Sequence, residues 1–537
     1  MRVLKHQILT PLTLVFCFAG ATLSSAEPGR KILPGDVPAV AARLVPLGQL
    51  PATTNLSLAI GLPLRNAAAL DELLRQLYDP ASTNFHKFLT PPEFAARFGP
   101  TEADYAAVRN FAVTNGFTVL GTHPNRIVLD VRAKAEDVDR AFQVTLRTYR
   151  HPHEARDFFA PDVEPSVDAA LPILQISGLD NYSLRRPMSV VRPLTALTAQ
   201  AVPHNGSGSG GSYLGDDFRA AYAPGTTLTG DGQSVALLQF DGYYSNDIAS
   251  YISLTGRTNY SISLTNVAIN GGVSVPGSGN VEVCLDIEMV ISMAPGVSKI
   301  IVYEAPNPTA WATVLSQIAN DTGNPARQIS CSWGNTSPGA KDLTSEGIFK
   351  QMAAQGQSFF NASGDSDAFV GGIPFPAEST NITQVGGTTL STTGPAGAWT
   401  GETAWNRGGG VGTSGGVSAN YGIPGWQQGI SMVGNHGSTT LRNVPDVALT
   451  GESVFVTYGN GGSGVAGGTS CAAPLWAGFM ALVNQQSAAS GLASVGFINP
   501  LVYAIGKSSI YNACFNDTAA GNNFNTGSPT NFPPPGS

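Results

Sequence analysis

The sequence is poor in charged residues and in cysteine, and each scarcity excludes a class of protein. Charged residues make up 12% of the 537 residues and the formal net charge is -8, so the chain has no basic patch for nucleic acid and no basic amphipathic helix for a membrane surface. The five cysteines, including Cys17, show no spacing typical of a zinc site. Beyond the N-terminus, no apolar run is long enough to span a bilayer.

The N-terminus, MRVLKHQILTPLTLVFCFAGATLSSAEPGR, has a basic start, an apolar segment over residues 8–23 and small residues ending at Ala26. This pattern is typical of a secretory signal peptide, and we place it at residues 1–26. We therefore expect a secreted, extracellular protein that keeps no membrane anchor after cleavage.

Two folded units joined by a linker are predicted. Residues 27–185 combine strand patterns with helices, two of which are predicted to begin after Thr90 and Thr101, and this indicates a small α+β unit with a helix-covered antiparallel sheet. Residues 186–211, rich in Pro, Ala, Gly and Ser, are predicted to be an exposed linker that contains a processing site.

Residues 212–537 have a different pattern, in which short apolar runs alternate with helical segments. The runs are QSVALLQF, SKIIVYEA, RQISCSW and QSFFNAS. Strands buried on both faces and joined by crossover helices predict a doubly wound, mostly parallel sheet. Functional groups of such α/β sheets gather at the carboxyl ends of the strands.

The stretch GGTSCAAP at residues 467–474 allows two interpretations of Ser470. In the first, Thr469 or Ser470 is the N-cap of a buried helix and Pro474 lies in its first turn. In the second, Ser470 is a nucleophile, and the backbone N–H groups of the helix N-terminus stabilise an oxyanion beside it.

Nucleophilic chemistry at Ser470 requires a base, and histidine is scarce. Only His204 and His436 follow residue 200, so carboxylates become the candidates. Glu282 and Asp286, four residues apart in VEVCLDIEMV, share one helix face and can hold separated pKa values. A solvated acidic face is the alternative. Asp365, in the SGDS sequence that follows an apolar strand, is either a turn-forming residue or part of the same site.

Taken together, GGTSCAAP, the Glu282 and Asp286 pair, SGDS at 363–366 and SCSWG at 330–334 resemble the sedolisin (serine-carboxyl) peptidases. FPAEST and RNVPDVAL add to this resemblance. These peptidases are relatives of subtilisin in which a glutamate replaces the catalytic histidine. The resemblance implies a subtilisin-like sheet domain preceded by a small ferredoxin-like activation domain of the pro-kumamolisin type.

The resemblance also implies roles for individual residues. Ser470 is the nucleophile, Glu282 its general base, Asp286 the carboxylate that orients Glu282, and Asp365 the donor to the oxyanion. A glutamate base and a protonated aspartate donor both suit acidic conditions. The expected protein is a secreted acid endopeptidase that acts on proteins or peptides. It is made as a self-processing, monomeric zymogen that its own pro-domain inhibits until acid protonates carboxylates at the interface.

Three other points follow from the comparison with the family pattern. Trp333 is expected either to support the carboxylates or to be a core residue, and Gln239 stands where some relatives carry a glutamate. Calcium is expected as a cofactor, bound by Asp517 and the carbonyl of Thr518, but the later segment that completes the family site is missing. We expect the sequence to be a fragment rather than a member that has lost its metal.

Two rival hypotheses come from other functional classes. The first is a catalytically inactive relative used as a binding protein, against which the intact set of four site residues argues. The second is a Ser-His-Asp hydrolase that recruits His436 as its base.

Overall fold

A computed structural model describes residues 29–193 and 205–524. The predicted signal peptide, residues 194–204 of the predicted linker and residues 525–537 lie outside the described residues. None of the described helices is long and apolar enough to cross a membrane.

The N-terminal unit is a set of small antiparallel sheets covered by helices. Its strands are β1 (Arg30–Ile32), β2 (Gly48–Gln49), β3 (Asn55–Gly61), β4 (Thr118–Thr122), β5 (Val128–Lys134), β6 (Leu146–Arg150), β7 (Asp157–Pro161), β8 (Ser166–Asp168) and β9 (Gln175–Ser177). Its helices are α1 (Ala67–Leu77), α2 (Pro91–Arg97), α3 (Glu102–Thr114) and α4 (Ala135–Phe142). The main sheet has the order β4-β5-β3-β9. The α+β prediction for this unit is therefore confirmed.

Capping explains where two of these helices begin. The side chain of Thr90 accepts from the backbone N–H of Glu93, and the Glu93 carboxylate accepts in return from Thr90 N–H. Thr101 and Asp104 form the same reciprocal pair at the start of α3. These capping boxes satisfy N–H groups that have no partner inside the helix, and they confirm the predicted starts.

Two short strands then connect the N-terminal unit to the second unit, whose helices and strands alternate. The connecting strands are β10 (Arg185–Pro187) and β11 (Val190–Pro193). The strands that follow are β12 (Ser234–Gln239), β13 (Ser263–Ala268), β14 (Lys299–Glu304), β15 (Gln328–Cys331), β16 (Trp333–Asn335), β17 (Ser358–Ala362), β18 (Ser366–Ala368), β19 (Thr383–Thr392), β20 (Trp399–Ala404), β21 (Asn406–Gly408), β22 (Val411–Gly422), β23 (Leu441–Val444), β24 (Val447–Thr450), β25 (Val454–Tyr458) and β26 (Gly462–Gly467). The helices are α5 (Asp216–Tyr222), α6 (Ser245–Leu254), α7 (Asn280–Met293), α8 (Trp311–Asn320), α9 (Leu343–Ala354), α10 (Thr469–Ala489), α11 (Asn499–Gly506) and α12 (Tyr511–Cys514).

The central sheet of the second unit has eight strands in the order β13-β14-β12-β15-β17-β19-β20, and β24 also pairs with β19. All of these pairs are parallel except β19 with β20. The four apolar runs quoted above form β12, β14, β15 and β17, so the doubly wound, mostly parallel sheet is confirmed. Their carboxyl ends lie along one edge of the sheet, and this edge holds the candidate site.

Helices cover both faces of this sheet. Val235 and Leu237 of β12 belong to the hydrophobic cluster that contains α7 and α10. Ala236 and Leu238, which point to the other face because side chains alternate along a strand, belong to the cluster that contains α8 and α9. Alternate side chains of β12 therefore face different helix layers, with α7 and α10 on one face of the sheet and α8 and α9 on the other.

The N-terminal unit packs onto the outside of α8 and α9. Buried apolar residues of this unit belong to the same hydrophobic cluster as the two helices: Ala59, Leu70, Leu73, Leu77, Phe94, Phe98, Ile127 and Val128. Polar contacts flank this apolar surface. Tyr78 Oη donates to the Ala353 carbonyl at 2.6 Å, and Lys350 Nζ pairs with Asp71 at 2.6 Å. The two units therefore share one continuous core.

Candidate active site

The four predicted site residues lie on three elements that converge at the carboxyl edge of the sheet. Ser470 is the second residue of α10, Glu282 and Asp286 are one turn apart on α7, and Asp365 lies in the turn between β17 and β18. Helices α7 and α10 pack side by side in one layer. The exposed fractions of Ser470, Glu282 and Asp286 are 0%, which removes the alternative of a solvated acidic face for the carboxylate pair.

The start of α10 differs from the predicted capping. Gly468 is the N-cap, with φ of 152° and no side-chain cap, so Thr469 and Ser470 are already helical and neither is the cap. Pro474 is inside the helix, beyond the first turn, because the helix begins at Thr469 rather than after Ser470. Glycine tolerates this positive φ, whereas an L side chain rarely does. The Ser470 N–H thereby stays available to the cleft.

Thr469 connects helix α10 to Asp365. Its backbone N–H and its hydroxyl lie 2.8 Å and 2.9 Å from Asp365 Oδ1, and its hydroxyl oxygen also accepts from Gly364 N–H at 3.0 Å. Asp365 Oδ2 is buried and has no hydrogen-bond partner among the described residues. One oxygen of this carboxyl is thus fixed, while the other lies beside Gly468.

Burial raises the pKa of Asp365 to about 8, although hydrogen bonds from Thr469 and the charge of Arg407 act in the opposite direction. A carboxyl with this pKa is protonated in acidic and neutral solution. It can therefore donate a hydrogen bond through Oδ2.

Asp286 is held by two donors from neighbouring strand ends. Ser332 Oγ donates to Asp286 Oδ1 at 2.6 Å, and Gln239 Nε2 donates to Asp286 Oδ2 at 2.6 Å. Trp333 Nε1 then donates to Gln239 Oε1 at 2.7 Å. Trp333 therefore supports the carboxylates through Gln239, and Ser332 is a site residue that the sequence reasoning missed.

The pKa of Glu282 is raised well above its ordinary value, first by burial and then by the neighbouring charge of Asp286. The hydroxyls of Ser189 and Ser470 act in the opposite direction. Ser189 Oγ donates to Glu282 Oε2, whereas Oε1 is buried and has no hydrogen-bond partner among the described residues. Ser470 Oγ makes a long contact of 3.5 Å with the Ser332 carbonyl. Two close buried carboxyls cannot both ionise readily, so the negative charge of Asp286 opposes the ionisation of Glu282.

The first described part of the predicted linker, residues 186–193, is paired with strands of the second unit, although several of its side chains are exposed as predicted. Strand β10 pairs antiparallel with β16, and β11 pairs antiparallel with β26, so residues 185–193 run across the cleft. Between the two strands, Ser470 N–H donates to the Met188 carbonyl at 3.0 Å. The low-complexity composition of the whole linker concealed this segment. Its strand signal is the Val-Val pair between Pro187 and Pro193, since β-branched residues and prolines favour extended backbone.

The remaining candidates lie outside this constellation. His204 falls outside the described residues, and His436 is an exposed residue just after the 3-10 turn Val433–Asn435. The hydrogen bonds described for Ser470 and Glu282 involve neither histidine.

Asp517 and Thr518 are exposed, and Asp517 Oδ1 accepts from Tyr511 Oη at 3.1 Å. Calcium requires six or more oxygen ligands. Over residues 29–193 and 205–524, no group of three or more His, Cys, Asp or Glu side chains could hold a metal ion. Asp517 and the carbonyl of Thr518 would supply only part of such a ligand set.

Comparison with known proteins shows which family the chain is similar to. Residues 42–182 match the family described as Pro-kumamolisin, activation domain. Kumamolisin from Bacillus sp. (strain MN-32) is 30% identical over 520 residues, which cover 93% of this chain and 91% of that protein. Sedolisin from Pseudomonas sp. (strain 101) is 29% identical over 534 residues, covering 94% of this chain and 88% of that protein.

Xanthomonalisin from Xanthomonas sp. (strain T-22) is 29% identical over 507 residues, covering 83% of this chain, which spans 59% of that longer protein. The similarity to kumamolisin extends over nearly the full length of both chains. The chain belongs to the sedolisin family and is a serine-type peptidase made with an N-terminal activation domain.

Proposed function

We propose that the chain is a secreted acid endopeptidase that cleaves its own precursor and then other proteins or peptides through a Ser470-Glu282-Asp286 triad, with Asp365 as oxyanion donor. The observation that carries the proposal is the contact between Ser470 N–H and a backbone carbonyl of the chain, with Glu282 and Asp365 beside it. A nucleophile, a base and an oxyanion donor around one carbonyl are the requirements of acyl transfer.

In the proposed acylation step, Ser470 Oγ attacks the substrate carbonyl while Glu282 removes its proton. Asp286 stabilises and orients Glu282, and Ser332 and Gln239 hold Asp286 at 2.6 Å each. The developing oxyanion receives hydrogen bonds from Ser470 N–H and from protonated Asp365 Oδ2. Preorganised donors of this kind stabilise the transition state because they need no rearrangement during the reaction.

The proposed chemistry needs Glu282 ionised and Asp365 protonated at the same pH. Burial is the largest cause of the raised pKa of both groups, and in the precursor residues 185–193 add to that burial. Departure of this segment admits water and lowers both pKa values. We therefore expect the activity of the mature enzyme to peak below about pH 6, since an unperturbed glutamate titrates near 4.3. Self-processing should extend to higher pH.

Cleavage, rather than protonation of the interface, is the proposed release step. Burial raises the pKa of Asp36 well above its ordinary value, raises that of Asp180 to about 6 and raises that of Asp342. A carboxyl whose pKa is raised by docking favours the docked state at low pH and opposes it as the pH rises. We propose that docking contributes to these raised pKa values, so that acid would not loosen the interface through these three groups, in contrast to the sequence-based expectation.

Endopeptidase action is favoured because the cleft accepts backbone on both sides of Ser470. Strand β10 occupies one side by pairing with β16, and β11 occupies the other by pairing with β26. An enzyme limited to chain ends needs one side closed. Secretion is proposed from the predicted signal peptide at residues 1–26.

The experiment that tests this function compares the precursor with its Ser470→Ala variant. Both are purified at a pH above the Asp365 pKa of about 8 and are then brought to lower pH values. We expect the unaltered chain to convert to a shorter form and then to hydrolyse casein, whereas Ser470→Ala stays at full length. Processing of pure Ser470→Ala at the normal rate would show that another protease matures the chain.

A further inference from the structure

We propose that maturation begins at one peptide bond, Met188–Ser189, which the precursor holds in the active site as its own first substrate. This inference rests on the proposed function and goes beyond it, because it assigns the scissile bond and the residue that fills the primary specificity pocket.

The backbone on the N-terminal side of this bond forms an antiparallel strand with β16. Arg185, Arg186 and Pro187 pair with Asn335, Gly334 and Trp333. Two further contacts extend the pairing, from Thr336 N–H to the Leu184 carbonyl at 3.2 Å and from Met188 N–H to the Ser332 carbonyl at 2.9 Å. Pairing on this side fixes the register of the segment and brings the Met188 carbonyl to the nucleophile.

The Met188 carbonyl oxygen is the one that accepts from Ser470 N–H, at 3.0 Å. This N–H belongs to the first turn of α10, where backbone N–H groups carry a partial positive charge. The carbonyl that occupies this position is the one that becomes an oxyanion when Ser470 attacks. The register thus selects Met188 as the acyl residue.

The chain continues on the other side of Ser470 without leaving the cleft. Ser189 Oγ donates to Glu282 Oε2, and Val190 to Pro193 pair antiparallel with Gly467 to Gly464 of β26. Both flanks of the Met188–Ser189 bond are therefore held by strands, and its leaving nitrogen belongs to the residue that contacts the general base.

Two glycines provide the space for this bond. A Cβ at Gly468 would lie 2.7 Å from Asp365 Oδ2 and 2.7 Å from Ser189 Cα, and it would overlap the Met188 carbonyl oxygen. The substrate carbonyl and the unpartnered Asp365 oxygen therefore share the surface that Gly468 leaves open. A Cβ at Gly334 would overlap Met188 Cε, so Gly334 forms the floor beneath the methionine side chain.

The proposed cleavage balances with water as the only added reactant. Ser470 Oγ bonds to the Met188 carbonyl carbon and its proton passes to Glu282, which then protonates the Ser189 nitrogen as the C–N bond breaks. Water next attacks the Met188 ester and gives one proton to Glu282. The tetrahedral intermediate that water forms then collapses and frees the Met188 carboxyl group, and the Glu282 proton returns to Ser470 Oγ.

The test follows the first new chain ends during processing. The precursor is purified above pH 8, its pH is lowered in steps, and samples quenched at short times are analysed by intact mass and N-terminal sequencing. We expect the earliest products to end at Met188 and to begin at Ser189. Earliest products with other ends would overturn the inference while leaving self-processing intact, provided that Ser470→Ala remains uncut. Processing of Ser470→Ala would instead overturn the proposed function.

A size exchange tests the methionine pocket independently of folding. Gly334→Ala adds a Cβ where Met188 Cε lies, so processing should slow by roughly 10-fold or more, as expected from overpacking. Adding Met188→Ala to Gly334→Ala removes the overlap and should restore most of the rate. Failure of the double variant to recover, with both variants folded by circular dichroism, would contradict the assignment.

A peptide supplies the last control. LRRPMSVVRPLT, which copies residues 184–195, is incubated with mature enzyme beside a version that carries proline in place of the serine. We expect the first peptide to be cut between Met and Ser, and the second to resist at that bond. Cleavage of the first peptide at another bond would overturn the proposed register.

Discussion

Replacement of Asp365 separates the two properties on which its proposed role depends, a hydrogen-bond donor and a titrating carboxyl. Asp365 Oδ1 lies 2.8 Å from Thr469 N and 2.9 Å from Thr469 Oγ1, while Oδ2 faces the Met188 carbonyl region without a partner among the described residues. In Asp365→Asn, the amide oxygen keeps the Thr469 contacts. The amide NH₂ then takes the place of Oδ2 and donates at every pH.

The magnitudes follow from the loss or retention of this donor. Asp365→Ala removes it and should slow self-processing by about 10²–10³-fold, the range found for single oxyanion donors. Asp365→Asn should stay within about 10-fold of the unaltered chain at its optimum, because a donor is still present. The unaltered rate should fall as the pH rises through the Asp365 pKa of about 8, whereas the Asp365→Asn rate should not fall there.

The assay is the first-order rate at which full-length precursor disappears at a series of pH values, measured by densitometry for the three chains in parallel. Circular dichroism of each variant provides the folding control. Equal losses in Asp365→Asn and Asp365→Ala would refute the oxyanion role. If the processing rate of Asp365→Asn falls at alkaline pH as that of the unaltered chain does, another group causes the fall, and the proposed titration of Asp365 is refuted.

Three further predictions concern stability and support of the site. Burial raises the pKa of Glu346 to about 7. The contribution of protonated Glu346 to the free energy of unfolding is therefore present in acid and is lost as the pH rises from about 4.5 through 7, a change of about 3 kcal/mol. Glu346→Gln in the Ser470→Ala precursor should flatten this pH dependence of stability in urea titrations. Gln239→Leu leaves an Asp286 oxygen and an indole N–H buried without partners. It should lower the free energy of unfolding by about 1–3 kcal/mol and reduce turnover, whereas unchanged stability and turnover would show that Gln239 does not support the carboxylates. Added calcium should leave the melting temperature of this 537-residue chain unchanged, and a rise that disappears in Asp517→Ala would contradict this expectation.

The sequence predicted those parts of the fold in which local pattern and burial agree. The apolar runs of β12, β14, β15 and β17 are continuous because parallel strands between two helix layers are buried on both faces. Thr90 and Thr101 marked helix starts because their capping partners are three residues away. In each case the pattern that reveals the element lies within a few residues along the chain.

The carboxylate pair was predictable for the same reason, since Glu282 and Asp286 are one helical turn apart. Ser332 was missed because its contact with Asp286 joins residues 46 positions apart and no local pattern encodes it. The segment around Met188 was missed for a related reason. A short extended segment gains its structure from the strands with which it pairs, and composition alone resembles a linker.

The proposal that Glu282 takes the proton of Ser470 is tested most directly by the turnover of mature Glu282→Gln, with His436→Ala as the matched control. The mature forms are obtained by processing each precursor in trans with unaltered enzyme, and kcat/KM for a peptide substrate is measured from pH 3 to pH 8. We predict that Glu282→Gln loses about 10²–10⁴-fold, or more if the triad acts as a unit, and that His436→Ala keeps its activity and its acidic optimum. A neutral optimum that survives in Glu282→Gln and disappears in His436→Ala would contradict the account.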